Sequence, residues 1–317
     1  MKPKYLLFIL SINLISFYVS SQDIWSPEES MKIKSINQTD ISNDGEYIAY
    51  VVREAIMKDK KSEFLSQIWV YNTGGSQSIQ YTFNEKSSTS PKFSPDGKKI
   101  AFLSSRSGKN QIWIMNTLGG EAKKLIDEKK GVRSIKWSPD GNNISFLKND
   151  NDTEEETKSK ENKTDVILVD KNFKYSHIYS YDFTKDSVIQ ITKGNFSVNT
   201  FDYSPNGGKM IFSHQDDTNI NTGFVNTDIS LIESDGSNMK NIISRPGLDS
   251  NPIFSGDGNK FAFISSGGKQ ESIGLRDVYI YNLKNEKIIK LRDTPNRDSN
   301  IISWSSDNKM VIISENV

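Results

Sequence analysis

Short apolar runs of three to six residues alternate along this chain with polar turns, and one turn text recurs before six of them. The text is Ser, any residue, Asp or Asn, then Gly. It stands at Ser42-Asn43-Asp44-Gly45, Ser94-Pro95-Asp96-Gly97, Ser138-Pro139-Asp140-Gly141, Ser204-Pro205-Asn206-Gly207 and Ser255-Gly256-Asp257-Gly258, and degenerates to Ser305-Ser306-Asp307-Asn308. The intervals between the serines are 52, 44, 66, 51 and 50 residues, a repeat rather than a coincidence. Proline presets one turn dihedral, the acidic or amide side chain bonds its own backbone, and glycine accepts a positive φ, so each copy joins two antiparallel strands.

The runs that follow are β-branched and aromatic, as in Tyr47–Val52, Ile100–Leu103, Ile144–Leu147, Met210–Phe212, Phe261–Ile264 and Met310–Ile313. A third strand comes next in each unit, at Gln67–Tyr71, Gln111–Met115, His177–Tyr181, Asp228–Ile232 and Asp277–Tyr281, and a more polar fourth closes it, as in Val188–Thr192 or Lys287–Leu291. Four strands per repeat predict an all-β fold, a β-propeller of four-stranded blades with six anchors and an incomplete last blade. The long third interval holds Lys148 to Lys163, a polar stretch without an apolar residue, which reads as a solvated loop between the second and third strands of the third blade. A cation site built on Asp150 and Asp152 is its minor alternative. By repeat equivalence Trp69 and Trp113 are core residues, while Asp96 and Asp140 are turn residues rather than catalytic acids.

The first 21 residues have a different pattern. Lys2 and Lys4 precede an apolar run from Tyr5 to Val19, and Val19 and Ser21 suit cleavage after Ser21. This is the order of a secretory signal peptide, with an uncleaved anchor as the alternative, and the run is short for a membrane span, which needs about 20 residues. Residues 22–35 form a lead-in with one helix starting at Ser26-Pro27-Glu28-Glu29, where Ser26 caps and Glu29 completes a capping box. The propeller then occupies 36–317. Export to the periplasm or the extracellular space is the expected location.

The chain of 317 residues balances 40 basic against 40 acidic side chains, which removes the electrostatic case for nucleic acid. It has no cysteine, so disulfides and thiolate chemistry are excluded, and only two histidines, His177 and His214. No metal-ligand spacing, phosphate loop or cofactor motif occurs. Gly74-Gly75-Ser76-Gln77-Ser78 approaches a serine nucleophile elbow but lacks the last glycine and precedes a strand, so it is a blade turn. His177 holds the strand-start slot of Gln67, Gln111, Asp228 and Asp277 and is read as structural. His214 is a weak candidate for touching a ligand from a strand end.

Pro91-Lys92-Phe93-Ser94-Pro95-Asp96-Gly97-Lys98-Lys99-Ile100-Ala101-Phe102, with Gln111-Ile112-Trp113 and Gly119-Gly120, resembles the TolB-type propeller repeat. Trp25–Glu29, Ser42–Glu54 and Asp165-Val166 with Lys174–Tyr179 are similar to the acylaminoacyl-peptidase and dipeptidyl-peptidase branch of the prolyl oligopeptidase family of serine peptidases. The resemblance implies a propeller that gates access of short peptides to a C-terminal α/β-hydrolase domain carrying the Ser-Asp-His triad. On this reading the chain is cut short before that domain, is inactive alone, and has the hydrolase domain and a peptide substrate as partners, with no membrane span after signal cleavage. Catalytic residues, metals and cofactors are expected to be none, and Arg53, Glu54 and His214 are weak substrate-binding candidates. The alternative is a stand-alone TolB-like periplasmic propeller that binds protein partners.

Overall fold

A computed structural model describes residues 26–58, 61–165, 173–216, 219, 222, 225–270, 274–291 and 297–315. The signal-peptide segment lies outside the described residues. Helix α1 (Pro27–Met31) starts where expected but is shorter than the lead-in predicts. Ser26 accepts from the Glu29 amide at 3.2 Å. The Glu29 carboxylate turns to Lys32 instead of back to the cap, so only half of the capping box forms.

Strands follow in blades. The first is β1 (Ser35–Ile41), β2 (Tyr47–Lys58), β3 (Lys61–Asn72) and β4 (Gln77–Gln80), and the second is β5 (Ser88–Phe93), β6 (Lys99–Ser104), β7 (Gln111–Asn116) and β8 (Lys123–Lys124). The third is β9 (Val132–Trp137), β10 (Asn143–Asn149), β11 (Ser176–Asp182) and β12 (Ser187–Gln190). The fourth is β13 (Ser197–Tyr203), β14 (Lys209–Gln215), β15 (Asn226–Glu233) and β16 (Lys240–Ile243). The fifth is β17 (Gly247–Phe254), β18 (Lys260–Ser265), β19 (Asp277–Asn282) and β20 (Ile288–Lys290). Among the described residues the sixth contains β21 (Ser299–Trp304) and β22 (Val311–Glu315). Each blade is an antiparallel meander, and the repeat is a β-propeller as the anchors predict.

Each anchor is a closed local network. The serine hydroxyl donates to the acidic or amide side chain two residues on, at 2.5 Å from Ser42, Ser94 and Ser138 and 2.6 Å from Ser255 and Ser305. It also accepts the amide five residues on, as Lys99 and Asn143 donate at 2.9 Å. Glycines 45, 97, 141, 207 and 258 sit at φ between 69° and 74°, and in the degenerate sixth copy Asn308 takes φ 58°. Asparagine is among the few side chains that tolerate this region, so the turn survives the lost glycine.

The core lies between blades rather than in one central mass. Five apolar clusters fill the five junctions, for example Ala49, Val51, Ile68 and Val70 of the first blade against Phe93, Ile100, Phe102 and Met115 of the second. The same columns recur at every junction: the residues six and eight after the anchor serine face the preceding blade, and those seven and nine after it face the next. Trp69 and Trp113 are half-buried rather than core, although Ile68, Val70 and Ile112 beside them on the same third strands are buried. Trp113 packs at the edge of the first junction with the Arg106 guanidinium 4.7 Å over its ring.

Two departures from the sequence reading concern local order. The polar insert of the third blade is not loop throughout, since it contains helix α2 (Glu154–Glu161). Thr153 and Glu156 form a reciprocal capping box, with acids in its first turn and lysines in its last, which stabilises a helix that buries no apolar face. Lys148 belongs to β10 and is buried, its ammonium 2.7 Å from Glu128. Blades four and five are also joined by a short parallel pair, Asn226 with Gly247 and Thr227 with Leu248. Gly247 sits there at φ +105°, where a Cβ would lie 2.3 Å from Ser266 Oγ and 2.6 Å from the Lys269 carbonyl. Gly247→Ala is therefore expected to cost about 1–3 kcal/mol, read as a lower urea midpoint.

Candidate functional site

The first strands of successive blades neighbour one another, β1 with β5, β5 with β9, β13 with β17 and β17 with β21. Two residues before each anchor serine, these strands carry Asp40, Lys92, Lys136, Asp202, Ile253 and Ser303. Lys92 Nζ reaches Asp40 Oδ1 at 2.7 Å, and Lys136 Nζ reaches Asp202 Oδ1 at 2.6 Å, each pair crossing a blade junction. The second oxygen of each aspartate accepts a backbone amide of the following blade, from Phe93 at 2.8 Å and Phe254 at 2.9 Å. Trp137 donates its indole N–H to the Lys92 carbonyl at 3.0 Å. Asp40, Lys92, Phe93, Lys136, Trp137 and Pro139 share a cavity of about 400 Å³. Charge is thus fixed on these first strands while the ion pairs keep it balanced. The column was present in the sequence as a charged position at constant offset from the anchors, a signal the motif search did not use.

A larger cleft of about 610 Å³ lies between blades four and five, with Leu231, Ile242, Phe254 and Tyr281 as floor and Lys240 and Glu286 on its rim. Its lining runs from the anchor turns at Ser204–Asn206 and Asp257–Asn259 to Lys240 and Glu286.

The residues singled out from sequence do not converge. Arg53 and Glu54 lie where β2 and β3 leave the first blade as a two-stranded ribbon, beyond the pairing of β1 at Ser35 with Arg53 and of β4 at Gln80 with Trp69. The Arg53 guanidinium covers the Phe64 ring at 3.6 Å, and Glu54 pairs with Lys34 at 2.6 Å. His214 belongs to the fourth blade and is buried, packed on Phe196 and Phe212. Its Nε2 is 2.8 Å from Ser230 Oγ, a distance suited to a nucleophile and base. Ser230 is fully buried and His214 Nδ1 has no partner among the described residues, so these residues give the pair neither an orienting acid nor a route for substrate. Asp152 is held by Lys130 and Lys160, which push its carboxyl down to about 2, and Asp150 accepts from the Tyr175 amide. Lysines thus hold Asp152, and a backbone amide holds Asp150.

His177 is buried as its repeat position implies, with Nδ1 3.2 Å from Thr192 Oγ1. Gln67 in the same slot accepts from Thr82 at 2.6 Å, and Gln111 accepts from the Glu128 amide at 3.0 Å. The slot ties the start of strand three to the segment after strand four. Burial pushes both imidazoles below their ordinary range, against the opposing pull of Asp150 on His177 and of Asp228 and Asp216 on His214. The folded chain therefore prefers neutral histidines. It carries no penalty above the unfolded value near 6.5 and loses stability as pH falls below it toward the lowered folded values. A urea midpoint lower at pH 5.5 than at pH 7.5 is expected, and His177→Gln with His214→Gln should flatten that difference.

Comparison with known proteins places these features in a wider set. The TolB beta propeller domain model matches residues 53–174. A stretch of 76 residues is 38% identical to the "Uncharacterized peptidase YuxL" of Bacillus subtilis, covering 24% of this chain and 11% of that protein. The fold is similar to acylaminoacyl peptidase of Pyrococcus horikoshii, with TM-score 0.66 and 21% identity over 87% of this chain and 42% of that one. It is also similar to a putative TolB from Agrobacterium tumefaciens, with TM-score 0.56 and 18% identity over 81% and 80% of the two chains. The chain thus spans well under half the length of the peptidases it matches. No helix among the described residues is long and apolar enough to cross a membrane.

Proposed function

Because this chain is a β-propeller of TolB-type repeats, the kind carried by prolyl oligopeptidase family peptidases, we propose that it is the substrate-gating part of an exported serine peptidase acting on short peptides. Catalysis then belongs to an α/β-hydrolase domain joined to it in the native protein. The observation that carries the reading is the charged column on the first strands, where Asp40, Lys92, Lys136 and Asp202 are held by cross-blade bonds. Such a column presents fixed charge to the termini of a short peptide. The stretch shared with the Bacillus peptidase favours this use of the propeller.

A stand-alone propeller that binds protein partners is the second reading, favoured by the matching coverage with the Agrobacterium TolB. The purified chain separates the readings by its chemistry. Gating without catalysis predicts no release of chromophore from acylaminoacyl or dipeptidyl anilides. Turnover that co-purifies with the chain through several columns would place a nucleophile within it and overturn the proposal.

A further inference from the structure

The junction of blades two and three and that of blades four and five are built alike, and the second leaves open what the first fills. Phe183 and Leu283 hold the same place, two residues after Tyr181 and Tyr281. Each donates its amide at 3.0 Å to the carbonyl of the residue four after the anchor serine, Asn142 or Asn259. In the earlier junction the Phe183 ring stacks on Trp137, with centroids 5.4 Å apart and planes 5° from parallel, and Lys99 Nζ lies 5.4 Å over it. In the later one the smaller Leu283 and Phe254 take the places of Phe183 and Trp137, and Lys209 takes that of Lys99. All three line the cleft of about 610 Å³. Lys209 stands at its lip, held by Glu233 at 3.1 Å and half exposed. The Tyr181 hydroxyl donates to Asp186 at 2.5 Å. Tyr281 makes no matching bond among the described residues, because Glu286, five residues on, turns to Lys240 at 3.6 Å. The stacking base, the cation and a hydroxyl are therefore present, and the ring they would hold is not.

We infer that this cleft binds an aromatic side chain presented by a polypeptide partner, its ring stacked on Phe254 with Lys209 against it. The occupant follows from the filled junction, where the ring arrives at the end of a strand, on Phe183 after β11. A stacked ring beside an ammonium gains on both contacts, and an aliphatic side chain of similar size gains on neither. The cleft is larger than one ring needs and falls in the range of about 300–1,000 Å³ usual for ligand sites, which leaves space for the backbone that carries the ring. Asn206 and Asp257 of the two anchor turns border that space. This inference does not rest on the peptidase reading.

Ligand-observed NMR titration of the 317-residue chain with blocked tripeptides tests it. Acetyl-Gly-Phe-Gly-amide is expected to bind about three- to tenfold more tightly than acetyl-Gly-Leu-Gly-amide, the margin that aromatic contact adds to buried area. Leu283→Phe supplies the ring from within and should abolish binding while the urea midpoint falls no lower. Lys209→Met should weaken the Phe peptide about two- to fivefold, and Lys99→Met, at the filled junction, should leave its affinity unchanged. The two lysine variants decide the matter should Leu283→Phe fail to fold. Equal affinity for the two peptides, binding that survives in folded Leu283→Phe, or equal effects of the two lysine substitutions would each overturn the inference. Binding of p-cresol as tight as that of the Phe peptide would give the cleft to free aromatic molecules and overturn the polypeptide occupant.

Discussion

Phe261→Ala is expected to destabilise the chain by about 3–5 kcal/mol, the cost of deleting a fully buried ring whose site cannot collapse. Phe261 has no exposed surface and stands in the junction of blades four and five. It stacks on Tyr281 at 5.0 Å and meets Phe263 at 5.7 Å and Phe254 at 6.5 Å. Three rings from separate strands surround the deleted volume, so none can move in without breaking its own packing. Urea denaturation should show a lower midpoint with the slope preserved, because the surface exposed on unfolding is nearly the same. Ile289→Ala, on an exposed side chain of the outer strand of the same blade, should stay within about 0.5 kcal/mol. Equal effects at the two sites would contradict a core located between blades.

Arg245→Met is the second large effect, with an expected loss of about 3 kcal/mol at neutral pH. Arg245 donates through Nε and Nη2 to the Asp249 carboxylate at 3.0 and 2.9 Å, and through Nη2 to Ser265 at 2.7 Å. Its guanidinium also lies 5.4 Å over Tyr279. The Asp249 side chain is 1% exposed, so the substitution strands a carboxylate in the protein interior. The low end of the range for broken buried pairs applies, because Arg245 keeps a quarter of its side-chain surface in water. Adding Asp249→Asn should recover part of the loss, and a double-mutant cycle isolates the coupling. A single-variant loss below about 0.5 kcal/mol would show that water already screens the pair.

The blades were legible because each anchor is local. Ser94, Asp96, Gly97 and Lys99 complete their network within six residues, so the string specifies the turn without help from the rest of the chain. The slot occupied by His177 was legible for the same reason, through its equivalence with Gln67 and Gln111. The ion-paired column was not, because the partners of Asp40 and Asp202 lie 52 and 66 residues away along the chain. Arg53 and Glu54 looked available at a strand end. The ribbon of β2 and β3 and the approach of Lys34 occupy them, and neither shows in a strand-length reading. Helix α2 was hidden by its lack of an apolar stripe. Thr153 and Glu156, three residues apart, were its one signal.

The mass of the native gene product, measured on protein isolated from its source, tests the peptidase reading most directly. The expected result is a mature species without residues 1–21, larger than this chain by an α/β-hydrolase domain, whose peptides contain Gly-x-Ser-x-Gly and which reacts with a fluorophosphonate probe. A mature product ending at Val317 that resists the probe would contradict that reading and leave the partner-binding propeller in its place.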